Sequence, residues 1–380
     1  MNPWQGKRVL ITGVVGTIGH ELLRQLVPFQ PAEIIGIDNN ESDLFFVQQE
    51  FASYPFVHLY LSDIRDLAQL SQQMAGIDIV LHTAAYKHVF LCEQAPGTAV
   101  QTNILGVQNI IEAARTNGVE RVIFTSSDKA VNPTSVMGTS KLMGERLITA
   151  ANSRRRDGKP IFASTRFGNV LGSRGSVIPL FARQIADGGP VTLTHPEMTR
   201  FIMTLQEAVR LVMESVFLAH GGEVFVTKMP VVHIRDVAAV MIEEVARRLG
   251  RNPGDIQVKN IGTIPGEKLY EELMSTEETR RTLELARYFV VLPALQPVYE
   301  TVVYNYPMLV RNKVDRPYNS ANEAAMSAED FRSLLVQGGL LDEALQSVPH
   351  TLPVRPYSQA SAGNRGEAGA GVAAHAGGTE

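Results

Sequence analysis

Cysteine is all but missing: Cys92 stands alone in 380 residues, which excludes an internal disulfide framework and suits a reducing compartment. No apolar run approaches the roughly 20 residues needed to cross a bilayer, and no signal peptide is legible. A cytoplasmic protein without a membrane span is therefore expected. Neither sign of charge dominates, with 35 Lys and Arg against 39 Asp and Glu and a net charge of -4. Nothing there calls for nucleic acid or an acidic membrane surface as partner. No long internal repeat is found, so a repeat architecture is not expected. What is there is ordinarily globular, 44% hydrophobic and 19% charged, on a chain long enough for one large or two intimate domains.

The first strong pattern is strand, glycine turn, helix. Residues 8–12, Arg-Val-Leu-Ile-Thr, form a short apolar run. Gly13, Gly16 and Gly19 follow, with Ile18, Leu22, Leu23 and Leu26 at helical spacing. Glycines at such a turn let backbone amides approach a pyrophosphate at a helix N-terminus, where the dipole favours anions. The next strand, residues 33–38, ends on Asp38. A carboxylate there accepts hydrogen bonds from an adenosine ribose and repels a 2′-phosphate. The residues after it, Asn39, Asn40 and Glu41, bring no cation. NAD is expected ahead of NADP.

Further strands over 57–61, 78–82 and 121–125 alternate with helical segments, which predicts a parallel sheet with right-handed crossovers. Small Ala84 and Ala85 would let a nicotinamide-side ribose lie close to the backbone. Residues 96–117 carry Val100, Ile104, Val107, Ile110, Ile111 and Ala114 on one broad helical face, and residues 136–151 form a second long helix. In such folds these helices often meet their copies across a dimer axis, so a homo-oligomer, dimer or higher, is expected. Beyond residue 157 the pattern loosens into a sixth strand at 161–166, helices at 179–186, 205–219 and 234–249, and glycine loops. The expected architecture is α/β: a Rossmann-type doubly wound parallel sheet with a smaller C-terminal substrate-binding part. Residues 1–165 would form most of the dinucleotide-binding domain. Residues 166–345 would form the substrate-binding part, interleaved with the last Rossmann elements. From residue 351 Gly, Ala, Ser and Pro dominate, and residues 351–380 are expected to be a disordered tail.

Residues 126–141 deliver an acid, a base and a second lysine just after the fifth strand, where α/β enzymes put their chemistry. Asp128 and Lys129 suit an elimination beside a nicotinamide. Once a sugar carbon is oxidised to a ketone, the proton on the neighbouring carbon becomes acidic and a base removes it. An acid then protonates the hydroxyl one carbon further on, which leaves as water, and hydride return regenerates the cofactor. Asp128 must be protonated for this and Lys129 neutral, states that burial favours. Neighbours on a regular strand point to opposite faces, so the two share a site only if the chain turns here; Pro133 and the small polar residues around it support a loop. Met137 and Lys141, four apart, share a helix face. Lys141 would reach a nicotinamide ribose, whereas Met137 exchanges no proton and would shape the pocket. A surface Asp-Lys pair and a core methionine are the plainer readings of the same residues.

The glycine loop and the four-residue spacing before Lys141 resemble the extended short-chain dehydrogenase/reductases. More specifically, Ala85-Tyr-Lys-His-Val89, Ser126-Ser-Asp-Lys-Ala130, Val136-Met-Gly138, Arg166-Phe-Gly-Asn-Val170, Ser173-Arg-Gly-Ser-Val177, Thr194-His-Pro-Glu-Met-Thr-Arg200 and Pro265-Gly-Glu-Lys268 resemble the nucleotide-sugar 4,6-dehydratases of bacterial polysaccharide biosynthesis. Those enzymes act on UDP-N-acetylglucosamine. The resemblance implies that Asp128 is the acid at the C6 hydroxyl and Lys129 the base at C5, with Ser127 where the family usually has threonine. Met137 stands in the tyrosine position of the Tyr-x-x-x-Lys signature. A methionine branch of the family exists, and it needs another acceptor for the C4 hydroxyl proton, Asp128 or a water held by Ser127.

Cofactor contacts are implied for Gly13, Gly16, Thr17, Ile18, Gly19, Asp38, Asn39, Asp63 and Ile64. They are implied also for Ala84, Ala85, Tyr86, Asn103, Ser126 and Lys141. Asn169, Arg174, Val177, Thr192, Arg200 and Glu267 are implied on the substrate side, the two arginines pairing with the diphosphate through charge-assisted bonds, and Lys87 and His88 face the sugar. No metal is implied. The family usually carries an arginine just before Pro265-Gly-Glu-Lys268, where this chain has Ile264. Either Arg200 and a neighbouring cation such as Lys259 suffice, or the nucleotide is held differently. The run Gly266-Glu-Lys-Leu-Tyr-Glu271 favours the soluble group that inverts C5. Two other functions stay open on these residues. One is a nucleotide-sugar epimerase of the same fold, which has no need of the acid-base pair. The other is a dinucleotide-binding protein without catalysis, which would not need the acid, base and arginines together.

Overall fold

The computed structural model describes residues 2–153, 155, 158–173, 175–262, 266–295, 298 and 301–346. Arg174, Ile264 and the tail expected at 351–380 lie outside the described residues. Strand and helix alternate through the first half: β1 (Arg8–Thr12), α1 (Thr17–Leu26), β2 (Glu33–Asp38), α2 (Glu41–Glu50), β3 (Val57–Leu61), α3 (Leu67–Gln73) and β4 (Ile79–His82). Then come α4 (Val89–Gln94), α5 (Pro96–Val100), α6 (Gly106–Thr116), β5 (Arg121–Ser127), α7 (Val136–Ser153) and β6 (Ile161–Phe167). β1 pairs in parallel with β2 and β4, β2 with β3, β4 with β5, and β5 with β6. The central strands are buried along nearly their whole length, as a parallel sheet covered on both faces requires. Local chemistry starts two of the covering helices: the Asn40 side chain accepts the Asp43 N–H, and that of Asp66 the Gln69 N–H, the capping expected of these residue types.

The second half returns to the same sheet. It runs β7 (Asn169–Val170), α8 (Val177–Ala186), β8 (Val191–Leu193), β9 (Thr199–Met203), α9 (Leu205–Leu218), β10 (Val224–Thr227), β11 (Val231–His233), α10 (Ile234–Arg248) and β12 (Val258–Asn260). β13 (Glu272–Met274), β14 (Thr282–Leu285), β15 (Tyr288–Val291), β16 (Leu309–Arg311), β17 (Tyr318–Asn319), α11 (Ala328–Gln337) and α12 (Leu340–Gln346) follow. β10 lies parallel beside β6, and β15, β14 and β16 extend that edge antiparallel. The ten-stranded order is β16-β14-β15-β10-β6-β5-β4-β1-β2-β3. A separate core, holding Ile178, Phe181, Met241 and Phe331, joins α8, α10 and α11. Among the described residues no helix is long and apolar enough to cross a membrane.

The expected continuous face over 96–117 is corrected. A π-turn over Gln101–Leu105 interrupts the helix and shifts its phase, so Val100 is exposed and Ile104 half-buried while Val107, Ile110, Ile111 and Ala114 are buried. Such turns often accompany functional sites, and this one holds buried Asn103. α8 begins two residues before the expected start at 179, because Pro179 is tolerated in a first turn, where its missing N–H has no partner to lose.

Among the described residues the largest fully buried side chain is charged. Arg166 donates Nε–H to Glu145 Oε1 at 3.0 Å and Nη2–H to Glu145 Oε2 at 2.6 Å and Glu278 Oε1 at 3.0 Å. Its Nη1 donates to Glu278 Oε2 at 3.1 Å and to the Leu273 carbonyl at 2.9 Å. β6 is thereby tied to α7 and to the chain after β13. Burial alone would raise the Glu278 carboxyl, but the Arg166 guanidinium overcomes it and holds the group down at about 2. Arg166→Met would leave two buried carboxylates without their cation, and should lower stability by about 3–5 kcal/mol, seen as a lower urea midpoint. In the wild type this stabilisation is full above the ordinary glutamate value of 4.5 and lost as pH falls towards 2. The variant should lack that acid loss; an unchanged midpoint would remove the clamp.

Candidate active site

The strand order reverses between β1 and β4, and a crevice opens beyond the carboxyl ends of the strands at such a point. A cavity of about 650 Å³ occupies it, walled by Gly13, Asp38, Ala84, Asp128, Lys141 and Asn169 among others. Gly13 has φ of +71°, and a Cβ there would stand 2.8 Å from the Ala84 backbone. The loop can lie against the end of β4 only as glycine. Gly19, expected at the cofactor, is not on the cavity wall. A Cβ on it would come within 2.1 Å of the Gly13 carbonyl oxygen, so its part is to let α1 close on the loop.

Gly16, Thr17, Ile18, Asn39, Ile64, Ala85 and Tyr86 all line the cavity. The Asp38 carboxylate accepts the Val15 N–H at 3.2 Å and the Asn40 N–H at 3.0 Å; burial pushes the group up against those bonds. Asp63 is gripped by the Arg65 guanidinium at 2.9 and 3.0 Å and held down at about 2 by it. Asn103 lies behind the wall rather than on it. Its amide accepts the Tyr86 N–H and donates to the Tyr86 carbonyl and the Ser140 hydroxyl, each at 2.9 Å, and so fixes the loop after β4 onto α7. The hydroxyls of Ser62, Thr102 and Ser126 line the cavity, are buried, and have no partner among the described residues. Buried polar atoms are normally satisfied, and a polar dinucleotide along this wall would supply the partners, so the residues present fit that group.

After β5 the chain enters a short 3₁₀ turn over Asp128–Ala130. Ser127 caps it, its Oγ accepting the Lys129 N–H at 3.3 Å and donating to Asp128 Oδ1 at 2.6 Å. The turn brings neighbouring side chains together, with Lys129 Nζ 3.2 and 3.0 Å from the two Asp128 oxygens. Their charge states are the reverse of those an elimination needs. Burial alone would raise Asp128, but the Lys129 ammonium and the Ser127 hydroxyl outweigh it and hold the carboxyl low. Burial alone would lower Lys129, but Asp128 and Glu271 hold it high. The resting pair is carboxylate and ammonium because contact between them outweighs desolvation. The pair becomes an acid and a base only once Lys129 loses a proton and Asp128 gains one.

Met137 lines the cavity and packs with Cys92 and Ala99. On the same wall Lys141 donates to the Thr125 carbonyl at 2.9 Å, and burial pushes it down to about 8, with Glu145 opposing. His82 beneath it contacts Thr12 Oγ1 at 2.7 Å. Burial, with the Lys141 charge, drives His82 down to about 3, so it stays neutral.

Lys87, His88 and Asn169 line the other end of the cavity. Val177, Thr192, Arg200 and Glu267 do not. Val177 starts α8 and packs on the second core. Thr192 is buried on β8, exchanging hydrogen bonds with the Gln184 amide, in register with Lys259 of β12. Arg200 reaches the site through a residue the sequence reading left without a role: its Nε lies 3.3 Å from Glu271 Oε1, while its Nη2 holds Glu267 at 3.2 Å. Glu271 also accepts the Asn169 amide at 2.8 Å and stands 3.7 Å from Lys129 Nζ. Burial pushes its carboxyl up to about 7, with the Asp128 charge adding. It follows Glu267 by four positions, and spacing does not tell the buried acid from the more exposed one.

Residues 9–293 match the family model described as polysaccharide biosynthesis protein. The X-ray structure of Pen from Bacillus thuringiensis is similar at a TM-score of 0.83 and 40% identity, over 89% of this chain and 99% of that one. An uncharacterized membrane protein of Methanocaldococcus jannaschii is 45% identical over 334 residues, 88% of this chain and 96% of its own. The inverting UDP-N-acetylglucosamine 4,6-dehydratase of Campylobacter jejuni is 35% identical over 292 residues, 76% of this chain and 84% of its own. The UDP-glucose 4-epimerase of Rickettsia massiliae is 34% identical over 349 residues, 90% and 98%. The chain spans only 46% of the capsular polysaccharide biosynthesis protein CapD of Staphylococcus aureus, with 44% identity over 280 residues, 72% of this chain.

The contact of Gly19 with Gly13 yields a test that needs no ligand. Gly19→Ala should cost about 1–3 kcal/mol through overpacking, lowering the thermal midpoint followed by circular dichroism. A variant as stable as wild type would show that the loop and α1 have room to part.

Proposed function

The chain belongs to the polysaccharide biosynthesis family of extended short-chain dehydrogenase/reductases, and from that footing we propose that it removes water from a UDP-N-acetylhexosamine, UDP-N-acetylglucosamine first, to give a 4-keto-6-deoxy sugar. The chain is a nucleotide-sugar dehydratase or epimerase of this fold. Dehydration is favoured by one observation: Asp128 and Lys129 form a 3.0 Å pair on the cavity wall. An epimerase oxidises and reduces one carbon and has no use for an acid and a base aimed at two further carbons.

When bound, the dinucleotide supplies reversible acceptance and return of a hydride. The chain's own residues do the rest. The glycine loop receives the phosphates, Asp38 the adenosine ribose, and Lys141 the nicotinamide ribose. NAD is proposed over NADP because the wall beside Asp38 offers Asn39, Asn40, Asp43 and Asp63, and the nearby Arg65 guanidinium is engaged by Asp63. Met137 cannot take the C4 hydroxyl proton. The Ser127 hydroxyl, 2.6 Å from Asp128, gives that proton a route to a carboxylate. Asp128 then protonates the departing C6 oxygen, and Lys129 removes the proton at C5. Lys87 and His88 face the sugar, and Arg200 serves the diphosphate, a role the family resemblance implies for Arg174 as well. A homo-oligomer is part of the proposal, and exposed Val100, Leu105 and Met143 along the helical stretch from α5 to α7 are the apolar surface a second copy would cover.

Incubation with UDP-N-acetylglucosamine, followed by mass spectrometry, should show loss of one water. An unchanged mass with altered NMR couplings would mean epimerisation, and no change with any of several UDP-sugars would sink both enzymatic readings. Asp128→Asn should keep dinucleotide binding while kcat falls about 10²–10⁴-fold, the usual worth of a positioned acid. Dehydration at the wild-type rate would remove the acid assignment.

A further inference from the structure

Glu271 has no part in the acid and base roles above, yet the polar groups of the site converge on it. The residue is 6% exposed. From the turn after β5, Lys129 approaches to 3.7 Å, and the Asp128 carboxylate is near enough for its charge to act on the group. From β9, Arg200 Nε lies at 3.3 Å and the Phe201 N–H donates at 3.0 Å; from β7, Asn169 donates to both oxygens at 2.8 Å. Its own N–H is held by the Ser320 hydroxyl at 2.9 Å. The nearby Lys268 and Glu272 pair with each other at 3.0 Å, and Glu267 pairs with Arg200. Two neighbouring carboxyls in a buried site resist double ionisation, and their titrations are linked.

We propose that Glu271 is the proton store of this site, accepting a proton from Lys129 so that the amine can act as base while Asp128 serves as acid. The inference rests on the dehydratase reading. An N–H bond of the Lys129 ammonium breaks and an O–H bond forms on the Glu271 carboxylate, so one positive and one negative charge vanish together. Asp128, no longer facing an ammonium, takes the proton that the C4 hydroxyl sheds. Met137 cannot take it. Asp128 passes this proton to the C6 oxygen, which leaves as water. Lys129 removes the C5 proton and returns it to C5, and Glu271 then gives back the stored proton. The water carries away the C6 hydroxyl and the C4 hydroxyl proton, and every other proton ends where it began. Glu271 acts through Lys129 and is a positioning and proton-holding residue, without contact to the reacting carbons.

Burial and the Asp128 charge place the Glu271 carboxyl near 7. The store must be empty to accept, so kcat should rise with pH through about 7. The test uses the full-length wild type and Glu271→Gln, which keeps the shape and the acceptor oxygen but takes no proton. With glutamate labelled at its carboxyl carbon, NMR of the wild type should show one glutamate titrating near neutrality that is missing from the variant. In turnover the variant should lose about 10²-fold in kcat, keep KM, and lack the rise near pH 7, with Glu271→Asp restoring part of the rate. Either no glutamate titrating above pH 6, or a variant with wild-type kcat and pH profile, overturns the inference. If the wild type dehydrates no UDP-sugar while Glu271 still titrates near neutrality, the dehydratase reading falls and the proton-holding role of Glu271 stands.

Discussion

Everything in the site depends on where α7 and the chain around β13 sit relative to β6, and one buried guanidinium sets that. Arg166 spends five N–H bonds on Glu145, Glu278 and the Leu273 carbonyl. Glu145 lies one turn beyond Lys141 on α7, and Leu273 lies two residues after Glu271. The same clamp therefore aligns the lysine expected at the cofactor with the carboxyl that meets Asp128 and Lys129. A buried ion pair seldom adds much net stability. Its worth here is geometric, since a planar fork with every donor engaged admits one arrangement of its partners.

The chemistry above that clamp is a matter of charge held out of water. Asp128, Lys129, Glu271 and Arg200 form a mixed cluster in which each charge shifts its neighbours. Burial alone would make the acid and base ready-made, but contact between them does the opposite and leaves a resting ion pair. Readiness then needs Lys129 to give up one proton, and a carboxyl 3.7 Å away poised near 7 lowers the cost of that move. The arrangement also accounts for a methionine four residues before Lys141: Met137 can pass no proton, and the hydroxyl of Ser127 with the carboxylate behind it is the route that remains.

Much of this was legible from residue order. The glycine turn, the acid ending the second strand, the parallel sheet and the long helices are local patterns, and the structure has them near the expected positions. The requirement that Asp128 and Lys129 share a site only through a turn is met by the 3₁₀ turn that Ser127 caps. Elsewhere the folded backbone and its contacts put residues in places that spacing alone does not show. The π-turn breaks the face of the helix over 96–116, Gly19 serves helix packing instead of the cavity wall, and Asn103 steadies a loop from behind. Thr192 bonds to Gln184 on a separate small sheet.

The sequence alone determined the fold class, the family and the residue types brought to the crevice, because strand period, helix period and turn chemistry act over a few residues. Only the tertiary structure decided the charge states of Asp128 and Lys129 and the importance of Glu271. Those rest on desolvation and on charges that meet from β5, β7, β9 and the approach to β13, and no spacing along the chain encodes that meeting.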